Sequence, residues 1–241
     1  MLVSICMTAY KRSTQLGVTL GSILKQRFTD YEIIVVNDGP DADAKMFSES
    51  AGAKYIELKR PDVPHRNSAV PNNTGLKAAK GEIILLQNAE CRHVSSETVA
   101  TLAEYASANG VAFAAVMAEN KDGSDSQWYC HPVYRKVPYF FCGAITRKLA
   151  CELGGFDERF ESYGFEDDDF AHRIKLSGVR PDWLTCASAR HQWHPSHAPM
   201  SQTGEDYLKW KHAQPHYPRL APWPYERGVA VADLTSTASS A

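Results

Sequence analysis

Continuous apolar runs at residues 2–7, 31–36 and 82–86 punctuate the first part of the chain, each closed by polar turn residues. Short unbroken runs of this kind predict strands buried on both faces in a parallel sheet, because a half-exposed strand would alternate apolar with polar positions. The clearest is Tyr31-Glu32-Ile33-Ile34-Val35-Val36, which ends in the turn Asn37-Asp38-Gly39-Pro40. Between the runs the spacing becomes helical. Leu16, Leu20, Ile23 and Leu24 fall on one face of a helix that Ser13 is expected to cap, and a weaker helix is predicted over 41–51. A strand over 53–58 and a helix over 73–80 follow. The strand at 82–86 ends at Asn88-Ala89-Glu90, a helix runs from Ser95 or Ser96 to about 108, and a fifth strand covers 111–117. This alternation predicts an α/β fold with a doubly wound, mostly parallel sheet flanked by helices.

The pattern changes beyond 118. Residues 119–136 are polar and aromatic, with a flexible turn at Lys121-Asp122-Gly123-Ser124-Asp125 followed by Trp128, Tyr129, His131, Tyr134 and Arg135. Such a mixture either lines a polar ligand's pocket or packs a loop onto the core. Leu153-Gly154-Gly155-Phe156-Asp157-Glu158-Arg159-Phe160 then leads to Tyr163-Gly164-Phe165-Glu166-Asp167-Asp168-Asp169-Phe170. Phe170 and Ile174 share a helical face and Asp169 reaches Arg173 at the same spacing, so the four acids form the first turn of a helix. Free backbone N–H groups and the positive end of the helix dipole favour ionised carboxylates there, ready to act as base or ligand. The plain alternative is an ordinary acidic first turn, although capping requires only one or two acids. From 187 the chain is rich in His, Pro and Trp, and from 228 it fades to Ala, Ser and Thr, which predicts disorder over the last dozen residues.

A chain of 241 residues suffices for one large domain. The expected division is a domain over 1–200, with a nucleotide-binding half to about 117 and an acceptor half from about 118, then an aromatic and Pro-rich extension over 201–227 and a disordered tail over 228–241. Net charge is −2 and the basic residues are scattered, which argues against a general nucleic-acid or anionic-membrane surface. The first apolar run is too short to span a bilayer and lacks the flanks of a secretory signal, so a cytoplasmic protein is expected, with peripheral membrane association through a partner left open. Six cysteines without C-x-x-C spacing are expected to be reduced and structural.

Ligands of open α/β sheets bind beyond the carboxyl ends of the strands. Thr8-Ala9-Tyr10-Lys11-Arg12, Asn37-Asp38-Gly39 and Asn88-Ala89-Glu90 occupy such ends. An Asp there can accept from a base imide, a Tyr can stack on the ring and a basic pair can approach phosphate, which together describe a nucleotide pocket. Neither Gly-x-Gly-x-x-Gly nor a Gly-Lys-Ser/Thr loop is present, which disfavours a dinucleotide dehydrogenase or a P-loop enzyme.

These segments, with Asn73-Thr74-Gly75-Leu76-Lys77-Ala78-Ala79-Lys80-Gly81-Glu82 and Phe141-Cys142-Gly143-Ala144, stand in the order found in family 2 glycosyltransferases of the GT-A fold. The chain resembles that family over roughly 2–200, and its 163–169 segment resembles the acidic motif of galactosyltransferases. The resemblance implies inverting transfer of a sugar from a nucleotide-diphosphate donor, expected to be a UDP-sugar, to a hydroxyl acceptor by an enzyme of the hexosyltransferase class. It implies nucleotide contacts from Thr8, Ala9, Tyr10, Arg12, Asp38 and Asn73, and donor or acceptor contacts from Gly143, Trp128 and Asp168. Asp167 would be the general base, with Glu166 beside it orienting the sugar or acceptor. Asn88 and Glu90 match the two acidic positions of the family's Asp-x-Asp motif, so with His191 and His194 they would hold Mn²⁺ or Mg²⁺ against the diphosphate. Asn88 departs from that motif by offering a neutral carbonyl, and Asn72 stands where the family often has Arg.

Three other readings compete. Cys186 with His191, His194 and His197 could form a zinc site, although the paired-ligand spacing is missing. A sugar-nucleotide pyrophosphorylase shares the broad fold but needs a glycine-rich loop that residues 8–12 lack. A degenerate transferase domain that only binds nucleotide sugar or glycan is motivated by Asn88 and opposed by the intact acidic run.

Overall fold

Val3–Ala9 (β1), Tyr31–Asn37 (β2) and Ile83–Asn88 (β4) form the centre of the sheet in a computed structural model, which describes residues 1–60, 66–195 and 199–236. β1 pairs in parallel with β2 on one side and β4 on the other, and β2 pairs in parallel with Lys54–Glu57 (β3). Val3, Ile5, Ile34, Val35, Ile84 and Leu85 are fully buried in these strands. Complete burial contributes about 1.5–3 kcal/mol for each such side chain, which is why these unbroken runs favour the centre of the sheet.

The sheet continues past β4 with mixed polarity. The order is β3-β2-β1-β4-β8-β6-β9-β5, with Cys91–His93 (β5), Val111–Glu119 (β6), Cys142–Thr146 (β8) and Asp182–His191 (β9). β8 runs antiparallel to both β4 and β6, so β6 runs parallel to β4, and β9 runs parallel to β6. Asp125–Cys130 (β7) pairs antiparallel with the distal part of β6. This hairpin includes part of the segment expected to be a flexible turn, and its strand exposes Asp125, Ser126 and Gln127. With no apolar run, it is held by pairing rather than by burial.

Helices Ser13–Ile23 (α1), Ala42–Ser50 (α2), Ala69–Ala78 (α3), Thr98–Asn109 (α4), Arg147–Leu153 (α5) and Glu166–Leu176 (α6) connect the strands. Ser13 is the first helical residue rather than the cap. Arg12 takes the cap position without a side-chain capping bond. α3 begins ahead of the predicted 73–80 because Pro71 is tolerated in a first turn, where its missing N–H is not needed. α4 begins after Ser95, whose hydroxyl instead accepts from the Glu97 N–H at 3.1 Å.

The C-terminal part is built into the domain. Gln202–Ala213 (α7) brings a fully buried Lys211 against Asp157 at 2.8 Å and also onto Asp169. The Trp223 N–H donates to the Cys151 carbonyl at 2.8 Å, and Arg147, itself buried, donates to the carbonyls of Glu226 and Val229. Val231–Ser236 (α8), expected to be disordered, is helical because Ala230 and Val231 find cover. The rest of the expected tail, 237–241, lies outside the described residues. Five cysteines are buried and Cys186 is exposed, all as thiols. Among the described residues no helix is long and apolar enough to cross a membrane.

Candidate functional site

The register brings the carboxyl ends of β1, β2, β4, β6 and β9 to one rim of the sheet. Their loops and the start of α6 surround a cleft of about 410 Å³. Thr8, Ala9, Tyr10 and Arg12 enter from β1, Asp38 from β2, Asn88 and Glu90 from β4, and His191 and His194 from the end of β9. Glu166 and Asp167 line the cleft from the start of α6. Residues far apart in sequence and predicted to act together therefore share one cavity. Glu119 and Tyr163 line it as well, and so does Tyr129, from the polar and aromatic stretch expected either to line a pocket or to pack onto the core.

Asp38 is buried and ion-paired with Arg60 at 3.0 Å and Arg66 at 3.2 Å. Burial pushes its carboxyl above the usual range although both arginines pull it down. Arg66 also stacks over the Tyr10 ring, 4.8 Å from its centre, leaving an Arg–Tyr–Asp wall at this end of the cleft. Arg60 and Arg66 carry no local sequence signal, since their partner lies 22 and 28 residues away.

The chain turns into α6 through Gly164 (φ 98°) and Phe165 (φ 73°), a left-handed conformation that is strained for a residue with a Cβ. Glu166 is held at both oxygens. Asn67 Nδ2 donates to Oε2 at 2.7 Å and Ser68 Oγ to Oε1 at 2.5 Å, so Glu166 ties the start of α3 to the start of α6. Asp167 is different. Among the described residues it makes no hydrogen bond or ion pair, and burial together with the charges of Glu166 and Asp168 raises its carboxyl well above the ordinary range. Asp169 faces away from the cleft, bonded by Arg173 Nε at 2.8 Å and by Tyr217 Oη at 2.7 Å.

Four predicted site residues lie elsewhere. Asn73 is buried, donating to the Phe156 carbonyl at 2.9 Å and accepting from the Phe156 N–H at 2.8 Å, so its amide joins α3 to the Gly-Gly-Phe-Asp segment. Gly143 is a packing residue, because a Cβ there would stand 2.7 Å from the Phe113 ring. Trp128 stacks on His131 and Tyr134 away from the cleft, while its neighbour Tyr129 lines it, as alternation along β7 requires. Asp168 accepts from the Tyr139 hydroxyl and opens onto a neighbouring cavity beside His172 and Lys175.

The predicted metal ligands converge, yet their arrangement does not fit a divalent cation. Arg12 Nε lies 2.8 Å from Glu90 Oε1, and its terminal NH2 group lies 3.0 Å from His194 Nδ1. His194 Nδ1 stands 3.0 Å from both the Arg12 guanidinium and the Pro195 carbonyl, and its Nε2 lies 3.8 Å from Glu90 Oε1, so the Arg12 guanidinium lies against both side chains that would hold a cation. The Arg12 charge also offsets that of Glu90. His191 is held neutral chiefly by burial, although Glu90 pulls the other way, and it packs 4.9 Å from the Tyr129 ring. Among the described residues no three His, Cys, Asp or Glu side chains are grouped to hold a metal. This also leaves the zinc alternative without support: Cys186 is exposed along β9, and His197 lies outside the described residues.

Comparison with known proteins agrees with this geometry. The family model described as glycosyl transferase family 2 matches residues 4–163, and one described as the N-terminal domain of galactosyltransferase matches 133–197. Poly(ribitol-phosphate) beta-N-acetylglucosaminyltransferase TarP of Staphylococcus aureus is 29% identical over 91 residues, 36% of this chain and 28% of that protein. Chondroitin synthase of Escherichia coli is 24% identical over 246 residues, 80% of this chain and 35% of that protein. The chain thus spans about a third of the length of these relatives. The structure of S. aureus TarS 1–349 in complex with UDP-GlcNAc superposes with a TM-score of 0.69 at 18% identity, covering 87% of this chain and 64% of that one. A mannosyltransferase from Pyrobaculum calidifontis, in complex with GDP-Man and Mn²⁺, gives a TM-score of 0.60 at 17% identity, covering 87% and 59%. The fold is therefore that of GT-A glycosyltransferases, and with two-thirds of its length matched by the family model the chain belongs to glycosyl transferase family 2.

Proposed function

We propose that the protein transfers a sugar from a nucleotide-diphosphate donor, a UDP-sugar, to an acceptor hydroxyl with inversion at the anomeric carbon. The observation that carries this reading is Asp167, an unpaired carboxylate facing the cleft formed by the strand ends and shared with Tyr10 and Asp38. In this reading the base and ribose lie against Tyr10 and Asp38, with Thr8 and Ala9 shaping the floor. Asp167 accepts the proton of the acceptor hydroxyl as its oxygen attacks the anomeric carbon and the diphosphate departs from the opposite face with the bonding electron pair. A raised carboxyl suits this role, since a base of higher pKa takes the proton more readily once deprotonated. Glu166 positions Asp167 through Asn67 and Ser68 rather than touching the sugar. The choice of UDP is supported by the UDP-GlcNAc bound in the TarS neighbour and by the N-acetylglucosaminyl transfer in the name of TarP. Relatives named for poly(ribitol-phosphate) and chondroitin support a glycan or polyol acceptor.

Incubation with UDP-, GDP-, CDP- and TDP-sugars, with release of nucleoside diphosphate as the signal, tests this reading. Release from UDP-sugars, increased by an added hydroxyl acceptor, is the expected result. Binding of a nucleotide sugar with no turnover under any acceptor would instead favour the binding-module reading.

A further inference from the structure

Resting on the proposed nucleotide-sugar transfer, we propose that Arg12 supplies the positive charge for the diphosphate leaving group, so that donor binding in this chain needs no divalent cation. Three observations converge. Arg12 stands at the end of β1 and lines the cleft, and its guanidinium lies between the two side chains best placed to ligate a metal, Glu90 at 2.8 Å and His194 at 3.0 Å. The motif position that would add a second anionic ligand is Asn88, which is neutral. The other carboxylates near this end of the cleft already have arginine partners: Glu119 is paired with Arg92 at 2.5 Å, and Asp38 with Arg60 and Arg66.

The chemistry requires a cation there. As the acceptor oxygen bonds to the anomeric carbon and its proton passes to Asp167, the bond between that carbon and the diphosphate oxygen breaks, and the departing diphosphate gains negative charge. A guanidinium meets phosphate oxygens with several fixed donors. The contacts of Arg12 to Glu90, His194 and the Lys11 carbonyl (2.9 Å) leave further N–H groups of its five for that purpose. Glu90 and His194 then serve as positioning residues that hold the guanidinium at the cleft.

Calorimetric titration of the full chain with UDP, in EDTA and in Mn²⁺, separates the alternatives. The expected dissociation constants agree within about threefold between the two conditions, and Arg12→Gln weakens UDP about ten- to a hundredfold in both, as loss of a charge-assisted hydrogen bond implies. Arg12→Lys retains part of the affinity, and a circular-dichroism melt of each variant establishes that it is folded. Glu90→Gln discriminates most sharply, because loss of a residue that positions Arg12 changes UDP binding equally in EDTA and in Mn²⁺, whereas loss of a metal ligand would weaken it in Mn²⁺ alone. UDP binding to the wild type that disappears in EDTA and returns with Mn²⁺ overturns the inference alone. Failure of the wild type to bind any nucleoside diphosphate in either condition overturns the functional reading together with it.

Discussion

Asp167 lies between Glu166 and Asp168 in the first turn of α6, and the cost of holding it there can be measured. Burial and two like charges raise its carboxyl well above the ordinary value of about 3.9. The folded state therefore binds this proton more tightly than the unfolded chain, so stability falls as pH rises from the unfolded towards the folded value, and the penalty is complete above it. Asp167→Asn is accordingly expected to melt higher than the wild type at about pH 8 and no higher at about pH 4, measured by circular dichroism. The same shift places the acid limb of kcat/KM above the ordinary aspartate range, because the base works only when deprotonated. The acidic run itself was legible in the sequence, and so was the pairing of Asp169 with Arg173, a local contact of helical spacing. The partners of Glu166 and Asp38 were not, since Asn67, Ser68, Arg60 and Arg66 meet them only after the loops fold over. Asn73, Gly143 and Trp128 were misplaced for a related reason: a motif position does not reveal whether a side chain faces the cleft or the packing behind it.

At the scale of elements, α6 and α7 are locked by a buried charge network. Lys211 bridges Asp157 and Asp169, and Tyr207 and Tyr217 each donate to one of these carboxylates. Breaking one partner of a buried pair typically costs about 3–5 kcal/mol, so Lys211→Met is expected to destabilise by about that amount in urea titration. Burial alone would raise Asp157, but hydrogen bonds from Arg159 and Lys211 hold it well below the usual range. Its share of stability is present above the unfolded value and is lost as pH falls towards the depressed one, so the stability of Lys211→Met should decline less steeply below about pH 4. Gly155 is the other keystone. It has φ 67°, and a Cβ would stand 2.1 Å from the Trp223 ring and 2.4 Å from Asn73 Oδ1, so Gly155→Ala is expected to cost at least about 2 kcal/mol in the same titration. Strands β1, β2 and β4 could be read directly from their apolar runs. β5, β7 and β9 could not, because short or polar strands owe their place to neighbours in the sheet.

Taken as a whole, the molecule joins its C-terminal part to its cleft by a short chain of contacts, from Lys211 through Asp169 to the helix that carries Asp167. These contacts cross the division expected at residue 200. A chain ending there would leave Asp157 and Asp169 buried without Lys211 and Cys151 without Trp223, and it is expected to be insoluble or to lack a cooperative melt. The central claim is that one cleft binds the donor while Asp167 performs the proton transfer, two roles that a single variant can separate. The most direct test is to measure UDP affinity and steady-state sugar transfer for wild type and Asp167→Asn side by side. An unchanged UDP dissociation constant with kcat reduced about 10²- to 10⁴-fold is expected. Transfer by Asp167→Asn at a near-wild-type rate would contradict the central claim.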